Sequence, residues 1–255
     1  MSAETTRYPD ANVAGEVLAV HCRQGSGSGK SVWWELPDGT PGLGGMSLAG
    51  LPLYGSESLG SAGSVVFTEG EKACRALLDV GVPAVGSVTG ASSTPGPEAL
   101  AILADRDVYL WPDADRVGAE HMARIGNLLD PIASFVYVIR WPGAREHDDA
   151  ADYVAAGLDP RRLIDAARWS AVVDAVETVA ACRRFYGPTW AEVLPATADR
   201  LGRIVHLDIA AAQTAAELGA ALDTTYPPEP RQPVLDGPRR APRYEAAPMM
   251  AGATI

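Results

Sequence analysis

The sequence contains few cysteines, and their placement suits neither a disulfide framework nor a zinc site. Its 255 residues include three, Cys22, Cys74 and Cys182. They are odd in number, far apart and without a Cys-x-x-Cys pair, so they support neither structural disulfides nor a zinc ribbon. The expected setting is a reducing one, the cytoplasm.

Long apolar runs and a leader pattern are also missing. No segment reaches the roughly 18 consecutive apolar residues that a membrane-spanning helix needs. The first residues, MSAETTRYPDANVAGE, contain neither a basic nor an apolar leader region, so we expect no secretory signal and no membrane association. Hydrophobic residues make up 47% of the chain, which is enough for one large core with or without a small satellite.

Basic residues are scarce relative to acidic ones. There are 21 Lys and Arg residues against 32 Asp and Glu residues, and the net charge is −11. This balance argues against a protein held on nucleic acid by a large basic surface. It does not exclude a nucleic-acid enzyme, because carboxylates clustered around metal ions lose part of their charge when the metal binds.

The segment RQGSGSGKSVWW, residues 23–34, ends like a phosphate-binding P-loop but does not match the whole motif. Gly29, Lys30 and Ser31 supply the end of G-x-x-x-x-G-K-[ST], whereas Gln24 stands where the first glycine is required. A P-loop opens a helix, but here β-branched and aromatic residues follow. Two strand-like runs around a Gly/Ser cluster predict a β-hairpin instead.

The chain divides into four regions by composition. Residues 1–60 predict a small β-rich appendage, and residues 61–165 alternate strand-like and helix-like segments. Residues 166–225 predict helices, and residues 226–255 hold seven of the 20 prolines, which favours a disordered or polyproline-like tail.

Residues 61–165 predict an α/β unit. Four apolar runs, SVVFTEG, VPAVGSV, DVYLWPDAD and SFVYVIRWPG, alternate with segments of helical spacing. This alternation is typical of a mostly parallel sheet with helices on both faces.

Acidic residues follow three of these four strands. Ligands of open parallel sheets bind beyond the carboxyl ends of the strands, so the acidic residues are expected to share one edge. Singly, an Asp-x-Asp is usually a solvated turn and HDDAAD a helix N-cap, so the prediction depends on their order. Clustered carboxylates suit Mg²⁺ or Mn²⁺. The set consists of Glu69, then Asp113 and Asp115, then Asp148, Asp149 and Asp152.

The order VVFTEGEKA, VYLWPDADRVG, HDDAADYV resembles the TOPRIM domain of primases, topoisomerases and some nucleases, and most of all the primase proteins of phages and plasmids. The resemblance covers residues 61–165 well, residues 1–60 weakly, and the C-terminal third not at all. It implies a Rossmann-like TOPRIM sheet for residues 61–165, to which the residue patterns add a small N-terminal β-rich appendage and C-terminal helices.

The resemblance also implies roles for single residues. Glu69 would be a metal ligand or proton-transfer group, and Asp113 and Asp115 the main metal ligands. Asp149 would complete the metal site, with Asp152 and Asp148 supporting it.

Three further residues would serve substrate binding. Gly70 would let the backbone approach a phosphate, and Gly90 would shape a substrate groove. Lys72 begins the first helix, where a solvated side chain is the plainest interpretation and a phosphate contact the alternative.

The implied function is a Mg²⁺- or Mn²⁺-dependent primase that makes short RNA primers from nucleotides on single-stranded DNA. Because no P-loop or zinc ribbon is present, such a protein would need a separate helicase or template-binding partner. A TOPRIM nuclease and a non-catalytic module that binds nucleotide or single-stranded DNA are alternatives. DADRV, beginning at Asp113, also matches the nucleophile motif of haloacid-dehalogenase-like phosphatases, although Trp111 and Pro112 precede it unusually.

Overall fold

The computed structural model describes residues 4–25, 29–88, 90, 94–186 and 190–205. Its first three strands form an antiparallel sheet in the order β1-β2-β3: β1 Thr5–Ala11, β2 Val17–Gln24 and β3 Ser31–Glu35. The β2–β3 pairing confirms the predicted hairpin. The sequence pattern does not predict β1, because it contains Pro9, but β1 lies at the sheet edge, where proline is tolerated.

A second sheet contains four parallel strands in the order β5-β4-β6-β7. The strands are β4 Ser64–Thr68, β5 Ala84–Gly86, β6 Asp107–Trp111 and β7 Phe135–Val138. Thr68 pairs with Trp111, and Leu110 pairs with Val138, so the carboxyl ends of β4, β6 and β7 lie side by side.

Helices cover both faces of the parallel sheet, as predicted. The helices are α1 Glu71–Asp79, α2 Pro97–Leu100, α3 Arg116–Leu129 and α4 Ala150–Ala155. Alternate strand residues enter two cores: Val66 packs with side chains of α1 and α4, whereas Phe67 packs with those of α2 and α3. Period-two alternation of the strands produces this division.

The C-terminal helices are α5 Pro160–Tyr186, α6 Trp190–Val193 and α7 Pro195–Val205. Early in α5, Leu163 and Ile164 pack on the core that α1 and α4 share. Farther along, Val172 and Val179 form a separate small core with α7. The predicted helices of residues 206–225 and the predicted tail of residues 226–255 lie outside the described residues. Within the described part of the chain, no helix is long and apolar enough to span a membrane.

The N-terminal sheet is fixed to the parallel sheet by polar and aromatic contacts. Tyr54 exchanges two backbone hydrogen bonds with Gly86, and its ring meets Tyr8 edge-on at 5.8 Å between ring centroids. His21 Nδ1 lies 2.6 Å from Glu71 Oε1, and the His21 ring stacks on Trp34. The N-terminal sheet therefore contacts the first turn of α1 directly.

Asp10 is buried in this N-terminal sheet. It is 1% exposed, and within the described residues neither carboxylate oxygen has a hydrogen-bond partner. Burial, followed by the charges of Glu71 and Glu57, raises the pKa of Asp10 to about 8. The folded protein therefore retains a proton that the unfolded chain releases near pH 4, and its stability falls as the pH rises from about 4 to about 8.

We expect Asp10→Asn to raise the free energy of unfolding at pH 8 by about 1 to 2 kcal/mol and to flatten its decline between pH 5 and pH 8, because asparagine has no proton to lose. Urea unfolding at both pH values measures this, with the exposed Asp79→Asn as control. A variant whose stability declines as steeply as that of the wild type would contradict the assignment.

Candidate active site

The acidic residues predicted from the sequence lie at the carboxyl ends of three neighbouring strands. Glu69 follows β4, Asp113 and Asp115 follow β6, and Asp149 precedes α4 in the connection after β7. Since β4, β6 and β7 are adjacent in the sheet, their ends form one continuous edge, here called the acidic edge. Because the strands are parallel, their carboxyl ends meet at the same edge of the sheet, where ligands of such sheets bind.

Glu69 is the most buried carboxylate of the acidic edge, at 8% exposed. Its Oε1 accepts a hydrogen bond from the backbone N–H of Asp113 at 2.9 Å. Burial raises the pKa of Glu69, the hydrogen bond from Asp113 opposes this, and the charges of Asp115 and Asp149 add to the rise. This bond joins the ends of β4 and β6.

Asp113 is a partly buried carboxylate of the edge whose pKa is also raised. Burial, then the charges of Glu69, Asp149 and Asp115, raises the pKa of Asp113 to about 7, and Lys72 opposes them. Within the described residues, no hydrogen bond reaches its carboxylate. A bound cation would relieve this repulsion, and hard oxygen donors of this kind suit Mg²⁺ or Mn²⁺.

Asp115, in contrast, is held in its charged form. Its Oδ1 caps α3 by accepting a hydrogen bond from the Gly118 N–H at 2.7 Å. His147 Nδ1 lies 2.7 Å from its Oδ2. The hydrogen bond from Gly118, followed by that from His147, lowers the pKa of Asp115.

Asp149 and Asp152 form a capping box at the start of α4, as the helix-cap interpretation of HDDAAD predicts. Lys72 connects this box to α1: its Nζ lies 3.1 Å from Asp149 Oδ2 and 3.6 Å from Asp152 Oδ1. Burial lowers the pKa of Lys72, but the two aspartates together raise it. The Lys72 side chain is 47% exposed and also forms these ion pairs across the acidic edge, and its contact with a phosphate stays a prediction.

Asp148 organises the loop before α4. Its Oδ2 accepts a hydrogen bond from the Arg145 N–H at 2.7 Å, and its carbonyl accepts one from the Ala114 N–H at 2.9 Å. The His147 N–H returns a hydrogen bond to the Ala114 carbonyl at 3.2 Å. Sequence reasoning misses His147, which contacts Asp115 only because this loop folds back with His147 at a positive φ of 69°.

Gly118 allows α3 to start directly against Glu69. A β-carbon on Gly118 would lie 2.3 Å from Glu69 Oε1 and 2.7 Å from the Asp113 carbonyl oxygen. The sequence signal is the glycine three residues after the capping Asp115, although spacing alone gives it no role.

The predicted substrate-binding glycines differ in their surroundings. Gly70 has an extended backbone, and a β-carbon there would meet no atom within 4 Å, so the described fold does not itself require glycine. Gly90 has a positive φ of 62°. Residues 89 and 91–93 lie outside the described part, and the role of Gly90 in a groove stays a prediction.

A cleft of about 380 Å³ opens beside the acidic edge, between the ends of β6 and β7. Asp113, Asp115 and Asp148 contribute to its wall, together with apolar side chains and Arg140. Asp113 therefore belongs both to the acidic edge and to this cleft.

The acidic edge offers the right donor atoms for a metal but holds them apart. Among the described residues, no group of three or more His, Cys, Asp or Glu side chains is close enough to hold a metal ion. Lys72 forms an ion pair with the Asp149 carboxylate, and His147 contacts the Asp115 carboxylate. To bind a metal, the aspartate side chains would have to rotate away from Lys72 and His147. Their carboxylate oxygens would then bind the cation instead.

DNA primase domains are among the solved structures that this chain resembles. The zinc-binding and RNA polymerase domains of the Aquifex aeolicus primase superimpose with a TM-score of 0.50 at 17% identity, over 86% of this chain and 51% of that one. The chain has a TOPRIM primase-like fold. It spans about half the length of the Aquifex chain. The resemblance stated from the acidic motifs is thus confirmed at the level of the fold.

Two further primases give similar values. A DNA primase domain from Pseudomonas aeruginosa has a TM-score of 0.49 at 16% identity, over 86% of this chain and 71% of that one. The primase fragment of the bacteriophage T7 primase-helicase protein has a TM-score of 0.48 at 20% identity, over 66% of this chain and 64% of that one. No protein-family model and no curated protein matches the sequence.

Proposed function

We propose that this TOPRIM protein is a primase: a Mg²⁺- or Mn²⁺-dependent enzyme that joins ribonucleotides into short primers on single-stranded DNA. The observation that carries the proposal is the acidic edge: Glu69, Asp113 and Asp149 follow three adjacent strands, and within the described residues no hydrogen bond reaches the Asp113 carboxylate. A partly buried group of like charges costs stability unless a cation binds to it, so its presence favours a metal-dependent function.

The residues of the edge have distinct roles in this proposal. Asp113, Asp115 and Asp149 would hold the metal, which when bound neutralises nucleotide phosphates and polarises the attacking oxygen. Glu69 is fixed through its Oε1, which leaves Oε2 to accept the proton of an attacking hydroxyl, and its raised pKa suits that role. Lys72 would exchange its aspartate partners for a phosphate oxygen.

A nuclease would use the same acidic set, and a binding module would keep the fold without turnover. The N-terminal region favours the primase, because residues 1–60 weakly resemble primase proteins and their sheet contacts α1 beside the acidic edge. A replicative helicase is the partner expected to deliver that template, since the sequence has no P-loop of its own.

The test incubates single-stranded DNA with labelled ribonucleotides and Mg²⁺ or Mn²⁺. We expect the wild type to make short oligoribonucleotides and the double variant Asp113→Asn, Asp115→Asn to make about a thousandfold fewer. Glu120→Gln, an exposed acidic residue on α3, is the matched control and should keep full activity.

Other products of the same assay would assign the protein to a different functional class. Shortened DNA in place of new RNA, lost in the same double variant, would identify a nuclease. Metal and nucleotide binding without either product, also when a helicase is supplied, would identify a binding module.

A further inference from the structure

The cleft beside the acidic edge has two chemically different walls. Asp113, Asp115 and Asp148 form the wall nearest the edge, and Met122, Val138 and Trp141 contribute apolar surface. Its volume of about 380 Å³ lies within the range of small-molecule sites. Such a cleft suits a ligand with one charged end and one apolar, planar end.

Trp141 is held in place at the cleft by other aromatic rings. Its ring meets Tyr153 edge-on at 5.0 Å between ring centroids, and Tyr153 in turn contacts Trp111 at 5.4 Å. The Ala144 N–H donates to the Trp141 carbonyl and closes the turn that follows. Trp141 remains only half-buried, so part of its indole is left for a ligand. A fixed indole at a cleft wall is a stacking surface for a flat heterocycle.

Among the described residues that line this cleft, Arg140 is the basic one. It is exposed, follows the end of β7 and precedes Trp141 in the chain. A guanidinium at the rim can donate hydrogen bonds to phosphate, ribose or base oxygens. Since Asp113 also lies in the wall, a ligand seated on Trp141 would reach the acidic edge with its other end.

We propose that this cleft binds the base and ribose of a nucleoside triphosphate whose phosphates lie at the acidic edge, with Trp141 stacking on the base. The assignment rests on the proposed function, because it places the phosphates on the predicted metal ligands. It adds a position for the nucleoside, on the β7 side of Asp113 and away from Lys72.

Binding titrations with Mn²⁺ test the assignment with two probes, a non-hydrolysable ATP analogue and inorganic triphosphate. Trp141→Ala should weaken analogue binding about tenfold, the range for loss of one stacked base, while triphosphate binding changes less than twofold. Ala144→Leu, which adds a larger side chain to the cleft wall and leaves Trp141 and Tyr153 in place, should have the same selective effect. Trp169→Ala, a 45% exposed tryptophan on α5, is the matched control and should change neither.

The outcomes separate this assignment from the proposed function. If wild type and both cleft variants bind the two probes alike, the cleft assignment is wrong and the proposed function stands. Equal loss of both probes in Trp141→Ala, with no effect of Ala144→Leu, would also overturn it, because the tryptophan would then be only structural. Wild type that binds neither probe would overturn both proposals.

Discussion

Replacing Gly118 with alanine is expected to reduce the metal-dependent activity about a hundredfold or more and to lower the free energy of unfolding by about 3 kcal/mol. The added β-carbon would sit 2.3 Å from Glu69 Oε1, 2.7 Å from the Asp113 carbonyl oxygen and 3.0 Å from the Asp113 nitrogen. Two of these atoms are backbone, so α3 itself must shift. That shift would break the Glu69–Asp113 hydrogen bond and move the Asp115 cap.

The matched control is Gly126→Ala in the same helix. Its β-carbon would meet only side-chain atoms, Leu110 Cδ1 at 3.2 Å and Val136 Cγ1 at 3.8 Å, which can move. Alanine is also the better helix former by about 1 kcal/mol, so this variant should stay close to wild type in stability and activity. Thermal unfolding and primer synthesis measure both variants. Gly118→Ala that behaves like Gly126→Ala would show that α3 does not constrain Glu69.

Asp113→Asn is expected to reduce activity about a thousandfold and yet stabilise the metal-free protein by about 2 kcal/mol at pH 8. The folded pKa of Asp113, about 7, lies above the value near 4 of the unfolded chain. Folding therefore takes up a proton between these pH values, and stability falls as pH rises through them. Asparagine removes that loss together with the repulsion from Glu69 and Asp149.

Asp115→Asn should change the free energy of unfolding in the opposite direction. Its folded pKa is lowered, so Asp115 contributes stability above pH 4 that is lost as the pH falls. This variant should be less stable than wild type at pH 8. Urea unfolding at pH 5 and pH 8, without metal and with excess Mg²⁺, measures both variants. Mg²⁺ should stabilise wild type and not Asp113→Asn; equal stabilisation of both would remove Asp113 from the metal site.

The sequence predicts the acidic edge because parallel topology alone places residues that follow β4, β6 and β7 side by side. It does not predict the ion pairs of that edge. Lys72 and Asp149 are separated by 77 residues and His147 and Asp115 by 32, so their contacts depend on how α1 and the loop before α4 pack. Local sequence patterns do not predict such long-range packing.

The sequence pattern also does not predict which polar residues are buried. Asp10 lies in a strand whose proline and aspartate disfavour strand structure, and tertiary pairing with β2 overrides that preference. The glycine of PDADRVG was visible in the motif, but its steric role against Glu69 depends on a contact across 49 positions of the chain.

The backbone bonds between Ala114 and the loop before α4 limit how the chain can change in length. Surface loops ordinarily accept insertions at little cost. Here residues 145–148 are held in register with the Asp-x-Asp segment by hydrogen bonds in both directions. An added residue there would move His147 away from Asp115 and shift the start of α4. Insertions in this connection are therefore expected before residue 145, in the stretch that borders the cleft. Related chains are thus expected to differ in the shape of the cleft.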